Sequence, residues 1–254
     1  MDDLEFICPE WPEPENVRAL STTRSGGIST GPYASLNLGR HVGDDPDSVE
    51  ANRSRLRRSA HLPGEPVWLE QQHGIRVLDL DKHGSGETSL VADAAIASGA
   101  GRVCAILTAD CLPVLLTDRA GTRVAAAHAG WRGLAAGIIE QTVAAMAAPG
   151  SDLLAWLGPC IGAGYFEIGP EVRDALLARD PGASDCIRPG RDDRWHADLQ
   201  ALARRRLTAL GISSVTAAAA CTFSDSRRFF SHRREAPCGR MATLIWLEAG
   251  PSSA

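Results

Sequence analysis

One cysteine and two histidines stand in this chain where chemistry is usually placed. Cys111 sits in Thr108-Ala109-Asp110-Cys111, at the end of the apolar run 103–107. His128 sits in Ala127-His128-Ala129-Gly130-Trp131-Arg132-Gly133, at the end of the run 123–127. Each run has strand length, and a strand end fixes a side chain while the following loop leaves room for a ligand. A third candidate, His73 in Gln71-Gln72-His73-Gly74, lies between the apolar runs 66–69 and 75–80. Two histidines and a cysteine admit two chemistries. They can be three ligands of a catalytic metal, leaving one tetrahedral position open, or a thiol nucleophile with its base. Zinc in such a site lowers the pKa of its bound water to about 7. The thiol alternative makes Cys111 the attacking sulfur, His128 its base and His73 an orienting group.

Each residue alone has a plainer reading. A cysteine after a strand packs as a small hydrophobe, and a histidine at a strand end is often only hydrogen-bonded. Context lifts the group: Ala129-Gly130 presents no side chain over His128, and small residues beside a polar one let a ligand reach the backbone. Asp110, next to the cysteine, is a candidate to move a proton. Arg24, Arg132, Arg233 and Arg240 lie within two residues of Gly or Ser, which suits recognition of phosphate or carboxylate. Asn37 and His41 are polar groups in an apolar, irregular stretch and are candidates to line a pocket.

The elements that position these residues alternate between strand and helix. A strand is expected over Val17–Thr22, followed by the glycine-rich loop Arg24-Ser25-Gly26-Gly27. Asp45-Pro46 reads as an N-cap followed by proline at the first helical position. The helix it opens should bury Val49, Asn52, Arg53 and Leu56 and stop near His61-Leu62-Pro63-Gly64. Ala135, Ile138, Ile139, Thr142, Val143 and Met146 recur at i, i+3, i+4, which predicts one helix after Trp131-Arg132-Gly133. Strands are expected at Leu153–Leu157, 214–219 and Met241–Leu247. Helices should begin at Pro170 and after Asp198, the second ended by Gly211. Residues 181–190 read as a surface loop.

With 254 residues, 44% of them hydrophobic and 22% charged, the chain can bury a sizeable core as one α/β domain spanning 1–254. The net charge of −5 gives no overall attraction to nucleic acid. No apolar run is long enough for a membrane span, and the acidic start Met1-Asp2-Asp3-Leu4-Glu5 is no signal peptide. Seven cysteines without CxxC spacing read as reduced thiols, which places the expectation in the cytoplasm. A monomer is the expected state.

Several motifs together resemble one family. They are Ser21-Thr22-Thr23-Arg24-Ser25-Gly26-Gly27, Ser35-Leu36-Asn37-Leu38, Thr108-Ala109-Asp110-Cys111, His128-Ala129-Gly130-Trp131-Arg132-Gly133, Gly158-Pro159-Cys160-Ile161-Gly162 and Phe229-Phe230-Ser231-His232-Arg233. The chain resembles, over about 18–247, the family variously called laccase-domain or multicopper polyphenol oxidase proteins, purine nucleoside phosphorylases and peptidoglycan editing factors. That resemblance implies a four-layer α/β/β/α domain with mixed sheets, distantly similar to a cysteine-hydrolase toxin. It implies His73, Cys111 and His128 as the metal or catalytic triad, with zinc, or else copper, as cofactor. The implied activities are phosphorolysis of adenosine, inosine and methylthioadenosine, adenosine deamination, and an amidase reaction removing serine from UDP-MurNAc-serine. In the phosphorolytic reading Arg24, Arg132 or Arg233 would hold phosphate; in deamination Asp110 would shuttle a proton. The oxidase name fares worst on a count of ligands. A trinuclear copper cluster asks for roughly eight histidines in true laccases, and the chain has seven in all.

Overall fold

Alternate residues of the strand Val103–Thr108 enter two different cores: Cys104 and Ile106 one, Val103, Ala105 and Leu107 the other. A strand buried on both faces must lie inside a layered structure, and the period of two sorts its side chains between the layers. The computed structural model describes residues 4–83 and 90–249; the expected ends of the domain lie outside them.

In chain order the elements are β1 (Phe6–Ile7), β2 (Val17–Thr22), α1 (Pro46–Ser59), β3 (Pro66–Trp68), β4 (Val77–Asp79), β5 (Ala94–Ala97) and β6 (Val103–Thr108). They continue with β7 (Leu112–Asp118), β8 (Val124–Ala129), α2 (Trp131–Ala136), α3 (Ile138–Met146), β9 (Leu153–Leu157) and β10 (Glu167–Ile168). The last are α4 (Pro170–Arg179), β11 (Ile187–Pro189), β12 (Trp195–Ala197), α5 (Leu199–Ala209), β13 (Ser214–Ala217) and β14 (Met241–Leu247). One sheet runs β1-β2-β14-β6-β3 and a second β13-β9-β7-β8-β5-β4; a small third sheet is β10-β12-β11. Both large sheets are mixed, since β3 lies parallel to β6, β4 to β5 and β13 to β9.

The two large sheets pack face to face through Ile106, Ile245, Leu115, Ala126 and Trp156. Leu56 of α1 covers the outer face of the five-stranded sheet, and residues of the four later helices cover that of the six-stranded sheet. The expected order of layers, α/β/β/α, is the order found. Asp45 caps α1 by accepting from the Ser48 N–H, an interaction worth about 1 kcal/mol, and the helix buries the four residues anticipated.

Two local expectations are corrected, and one strand is added that the sequence reading did not anticipate. The helix after Trp131 is two helices, because Gly137 adopts φ +106 and ends α2 after six residues. Residues 181–190 hold a 3-10 turn (Pro181–Cys186) and the edge strand β11, so they are structured and not simply a loop. Strand β7 was hidden by Pro113, which usually argues against a central strand. Here the proline is the second residue of β7, opposite His128, while residues 114–118 make the ladder to β9.

Candidate active site

His128 belongs to β8, whose odd-numbered residues Ala125, Ala127 and Ala129 face the helices. The even face, with Val124 and Ala126, looks into the space between the sheets, so His128 does too. Strand β5 pairs with β8 antiparallel, with Ala94 opposite Ala127. One step further along this register Asp93 meets His128: the His128 N–H donates to the Asp93 carbonyl at 2.7 Å. Their side chains therefore lie on one face, and Oδ1 of Asp93 sits 2.9 Å from Nδ1 of His128. Both residues are buried. A carboxylate only accepts, so Nδ1 carries the proton and Nε2 is the atom left to face Cys111.

The same carboxylate builds the loop that carries the second histidine. Backbone N–H groups of Gln72, His73 and Gly74 donate to Asp93 at 3.1, 2.8 and 2.7 Å. Burial pushes the Asp93 carboxyl up, but the bonds from His128, Gly74 and Gln72 outweigh it and hold the group below the usual carboxylate range. His73 itself adopts φ +60, a left-handed conformation that a non-glycine residue keeps only when its surroundings impose it. Its ring meets His128 edge-on with centroids 4.7 Å apart, and its Nε2 lies 3.9 Å from the Cys111 sulfur.

Cys111 lies where the chain leaves one sheet for the other, between Thr108 at the end of β6 and Leu112 at the start of β7. Asp110 makes the turn with φ +90. Burial raises the thiol pKa, yet the charge and hydrogen bond of His128, with a lesser part from His73, pull it well below that of an ordinary thiol. The His128 imidazole moves the opposite way: burial lowers it, and the Cys111 thiolate and Asp93 more than restore it. Gly130 makes room for all this, since a Cβ there would sit 3.0 Å from the Cys111 sulfur and 3.1 Å from Cδ2 of His73.

The donor atoms of His73, Cys111 and His128 lie within 4.8 Å of one another, and among the described residues they form the one group of this kind. Zinc–sulfur bonds of about 2.3 Å and zinc–nitrogen bonds of about 2.0–2.1 Å place tetrahedral ligands roughly 3.3–3.6 Å apart. A small inward movement satisfies that, and Asp93 behind His128 is the carboxylate partner that metal-bound histidines commonly have. The residues fit a metal ion.

Other expected site residues are placed differently. The Asp110 carboxylate is engaged by hydrogen bonds from other loops. It accepts from Thr222 Oγ1 at 2.6 Å, Ser231 Oγ at 3.0 Å and the Arg233 N–H at 2.7 Å, tying two later loops to the Cys111 turn. Arg24 is a loop clamp: it donates to the Ala34 carbonyl, pairs with Glu235 and lies over the Phe230 ring. Asn37 is fully buried and bonded to Gly39, Asp44 and the Arg240 N–H. Arg240 donates to the carbonyls of Cys238 and Gly239. His41 lines a separate cavity beside β3. Arg132 is exposed, two residues past Gly130, with its guanidinium over the Trp131 ring. Arg233 is exposed too, over Phe166 and bonded to the Glu167 carbonyl. Asp93 was missed, although a lone acid within Val91-Ala92-Asp93-Ala94-Ala95-Ile96-Ala97 was a signal: an acid inside a buried run must have partners.

Comparison with known proteins identifies the family. The family described as multi-copper polyphenol oxidoreductase laccase matches residues 18–248. Purine nucleoside phosphorylase YfiH of Escherichia coli K12 is 52% identical over 244 residues, covering 96% of this chain and 99% of the relative. Purine nucleoside phosphorylase PA4543 of Pseudomonas aeruginosa is 51% identical over 244 residues, covering 96% and 98%. Among solved structures, protein NMB0706 of Neisseria meningitidis superposes with a TM-score of 0.91 at 45% identity, covering 96% of this chain and 99% of its own. YlmD of Geobacillus stearothermophilus gives 0.88 at 31% identity, covering 98% and 100%. Relatives this similar over their full length are enzymes by name, and this chain is an enzyme. With its fold, its His-Cys-His group and a match across nearly all its length, the chain belongs to the laccase-like family that includes YfiH.

Proposed function

We propose that this chain is a cytoplasmic purine nucleoside phosphorylase acting on adenosine, inosine and methylthioadenosine, with adenosine deamination as a side activity. The reading is carried by the braced group His73–Cys111–His128, three converging donors with Asp93 behind them. It is supported by the names of the E. coli and P. aeruginosa relatives. Those three residues would hold a zinc ion, which when bound supplies a Lewis acid and an activated water at neutral pH. Asp93 fixes the tautomer of His128 and the loop of His73, so both imidazoles would need only a small movement to hold the metal. Arg132, exposed and beyond Gly130, holds the phosphate against C1′ of the ribose. A phosphate oxygen bonds to C1′ as the bond from C1′ to the purine nitrogen breaks, and the base departs with that electron pair.

The oxidase part of the family description does not transfer. Several coppers need more ligands than the single three-residue group among the described residues provides.

One observation favours a second reading. Cys111, His128 and Asp93 stand in the order of nucleophile, base and orienting acid, with the thiol pKa depressed and the imidazole pKa raised. In metal-free protein this arrangement suits an amidase that attacks the serine amide of UDP-MurNAc-serine through the Cys111 thiolate. Metal-verified protein supplied in parallel with inosine plus phosphate and with UDP-MurNAc-serine separates the two. Hypoxanthine and ribose 1-phosphate by mass spectrometry support the first reading. Released serine with no phosphorolysis overturns it in favour of the second.

A further inference from the structure

A cavity of about 730 Å³ opens beside β3, and none of His73, Cys111 and His128 lines it. Its size falls within the range of small-molecule sites, roughly 300–1,000 Å³. One wall is apolar, made by Val67, Leu69, Leu80 and Leu90. Arg40, His41, Arg53 and Arg102 supply the cationic part, Glu65 and Glu70 add carboxylates, and Trp68 adds an aromatic ring.

Arg53 is the unusual member. It is only 6% exposed, yet no carboxylate among the described residues forms an ion pair with it. Its Nε and Nη2 both donate to a single acceptor, the Leu38 carbonyl, at 3.0 and 2.8 Å. Its guanidinium lies 4.1 Å from the centre of the Trp68 ring. The carbonyl and the ring hold the group in place but remove none of its charge, and a buried charge normally has a counter-ion. The carboxylates nearby are engaged elsewhere: Glu50 with Arg40, Glu65 with the Trp68 indole N–H, Glu70 with the Gln72 amide. Burial and the charge of Arg40 bring Arg53 down to about 10 against the opposing charges of Glu50 and Glu65, and burial with the charges of Arg240 and Arg53 lowers His41.

We propose that this cavity is a second small-molecule site, separate from the Cys-His group, which takes an organic phosphate with a flat ring. Its phosphate meets Arg40, Arg53 and Arg102, and its ring lies against Trp68 and the leucine wall. With Arg40 shared with Glu50 and with Glu65 and Glu70 in the same lining, what favours a phosphate is direct pairing with Arg53 and Arg102 beside the Trp68 ring. Guanidiniums also match phosphate oxygens in planar, paired geometry. Inorganic phosphate would leave the apolar wall bare, and a neutral nucleoside would leave Arg53 unpaired.

The test is equilibrium binding by calorimetry, with adenosine monophosphate, adenosine and inorganic phosphate as probes. The monophosphate should bind at least tenfold more tightly than either of the others. An Arg40→Ala, Arg102→Ala double variant changes partly exposed side chains and should fold; it should weaken the monophosphate at least tenfold. A Cys111→Ala variant should bind it within about twofold of the parent. Trp68→Phe should retain binding while losing the fluorescence change that accompanies it. Equal binding by the arginine double variant, loss of binding in Cys111→Ala, or no preference for the monophosphate would each overturn the proposal.

Discussion

Asp93 and His128 are cross-strand neighbours on β5 and β8, joined by a backbone hydrogen bond of 2.7 Å and a side-chain one of 2.9 Å. The first follows from strand register; the second turns that register into chemistry. Because the same carboxylate also accepts from the backbone of His73, one buried acid sets both histidines of the candidate centre. Asp93→Asn keeps the shape and removes the charge. It should lower zinc affinity about 10–100-fold, the usual cost of losing a carboxylate behind a metal-bound histidine. Competition against a metal chelator of known affinity measures this, and unchanged affinity would show that Asp93 serves the fold alone.

The Cys111 thiol is depressed chiefly by the charge of His128, against the opposing effect of burial. Metal-stripped protein should therefore keep a thiolate at pH values where an ordinary thiol, with a pKa of about 8.5, is protonated. Alkylation of Cys111 should begin at lower pH than alkylation of free cysteine. Asp93→Asn weakens the charge on His128 and should move the profile back upward. A Cys111 profile matching that of free cysteine would refute the thiolate–imidazolium pair.

Much of this site was legible because its residues sit at the ends of strongly apolar runs. Cys111, His128 and His73 could be singled out that way, and Asp45-Pro46 marked α1 through a cap whose chemistry is local. What escaped depended on contacts distant in sequence. Asp93 acquires its role from pairing with residue 128, and no local pattern states that register. The bonds that engage Asp110, Arg24 and Asn37 were not legible because their partners, such as Thr222, Ser231, Glu235 and Arg240, lie about 110 to 210 residues away. Pro113 and Gly137 misled for a different reason. A proline can stand second in a central strand, and a glycine can split an amphipathic run without changing its periodicity.

Asp110 offers a clean separation of clamp from catalyst. Its carboxylate accepts three hydrogen bonds, and an amide in its place turns one acceptor oxygen into a donor that faces another donor. Asp110→Asn should lose about 1–3 kcal/mol of stability, read as a fall in Tm of roughly 2–4 °C for each kcal/mol. A proton shuttle would behave otherwise, with kcat falling sharply at unchanged Tm.

Arg132 has its guanidinium stacked on Trp131 and is exposed to solvent. If it holds the attacking anion, Arg132→Ala should raise the KM for phosphate by about tenfold or more, the worth of one charge-assisted hydrogen bond. The KM for nucleoside should change little. Equal effects on both would assign Arg132 to general architecture.

Gly130 tests whether the three donors must converge. Its φ of −64 is open to any residue, so an added methyl group strains no backbone dihedral. The methyl would instead stand 3.0 Å from the Cys111 sulfur and 3.1 Å from Cδ2 of His73, closer than side-chain carbons normally approach. His128 is held by Asp93 and cannot yield, whereas His73 sits in an exposed loop and can. Gly130→Ala should therefore push His73 outward and leave a two-ligand site. Zinc content should fall at least tenfold at a fixed free-zinc level, while the circular dichroism spectrum and the Tm of metal-free protein stay near those of the parent. Asp93→Asn should lower affinity further in the double variant, because it removes the charge behind His128 whereas Gly130→Ala displaces His73. Full zinc occupancy in Gly130→Ala would mean that His73 is not a ligand and that the centre is the Cys111–His128 pair alone.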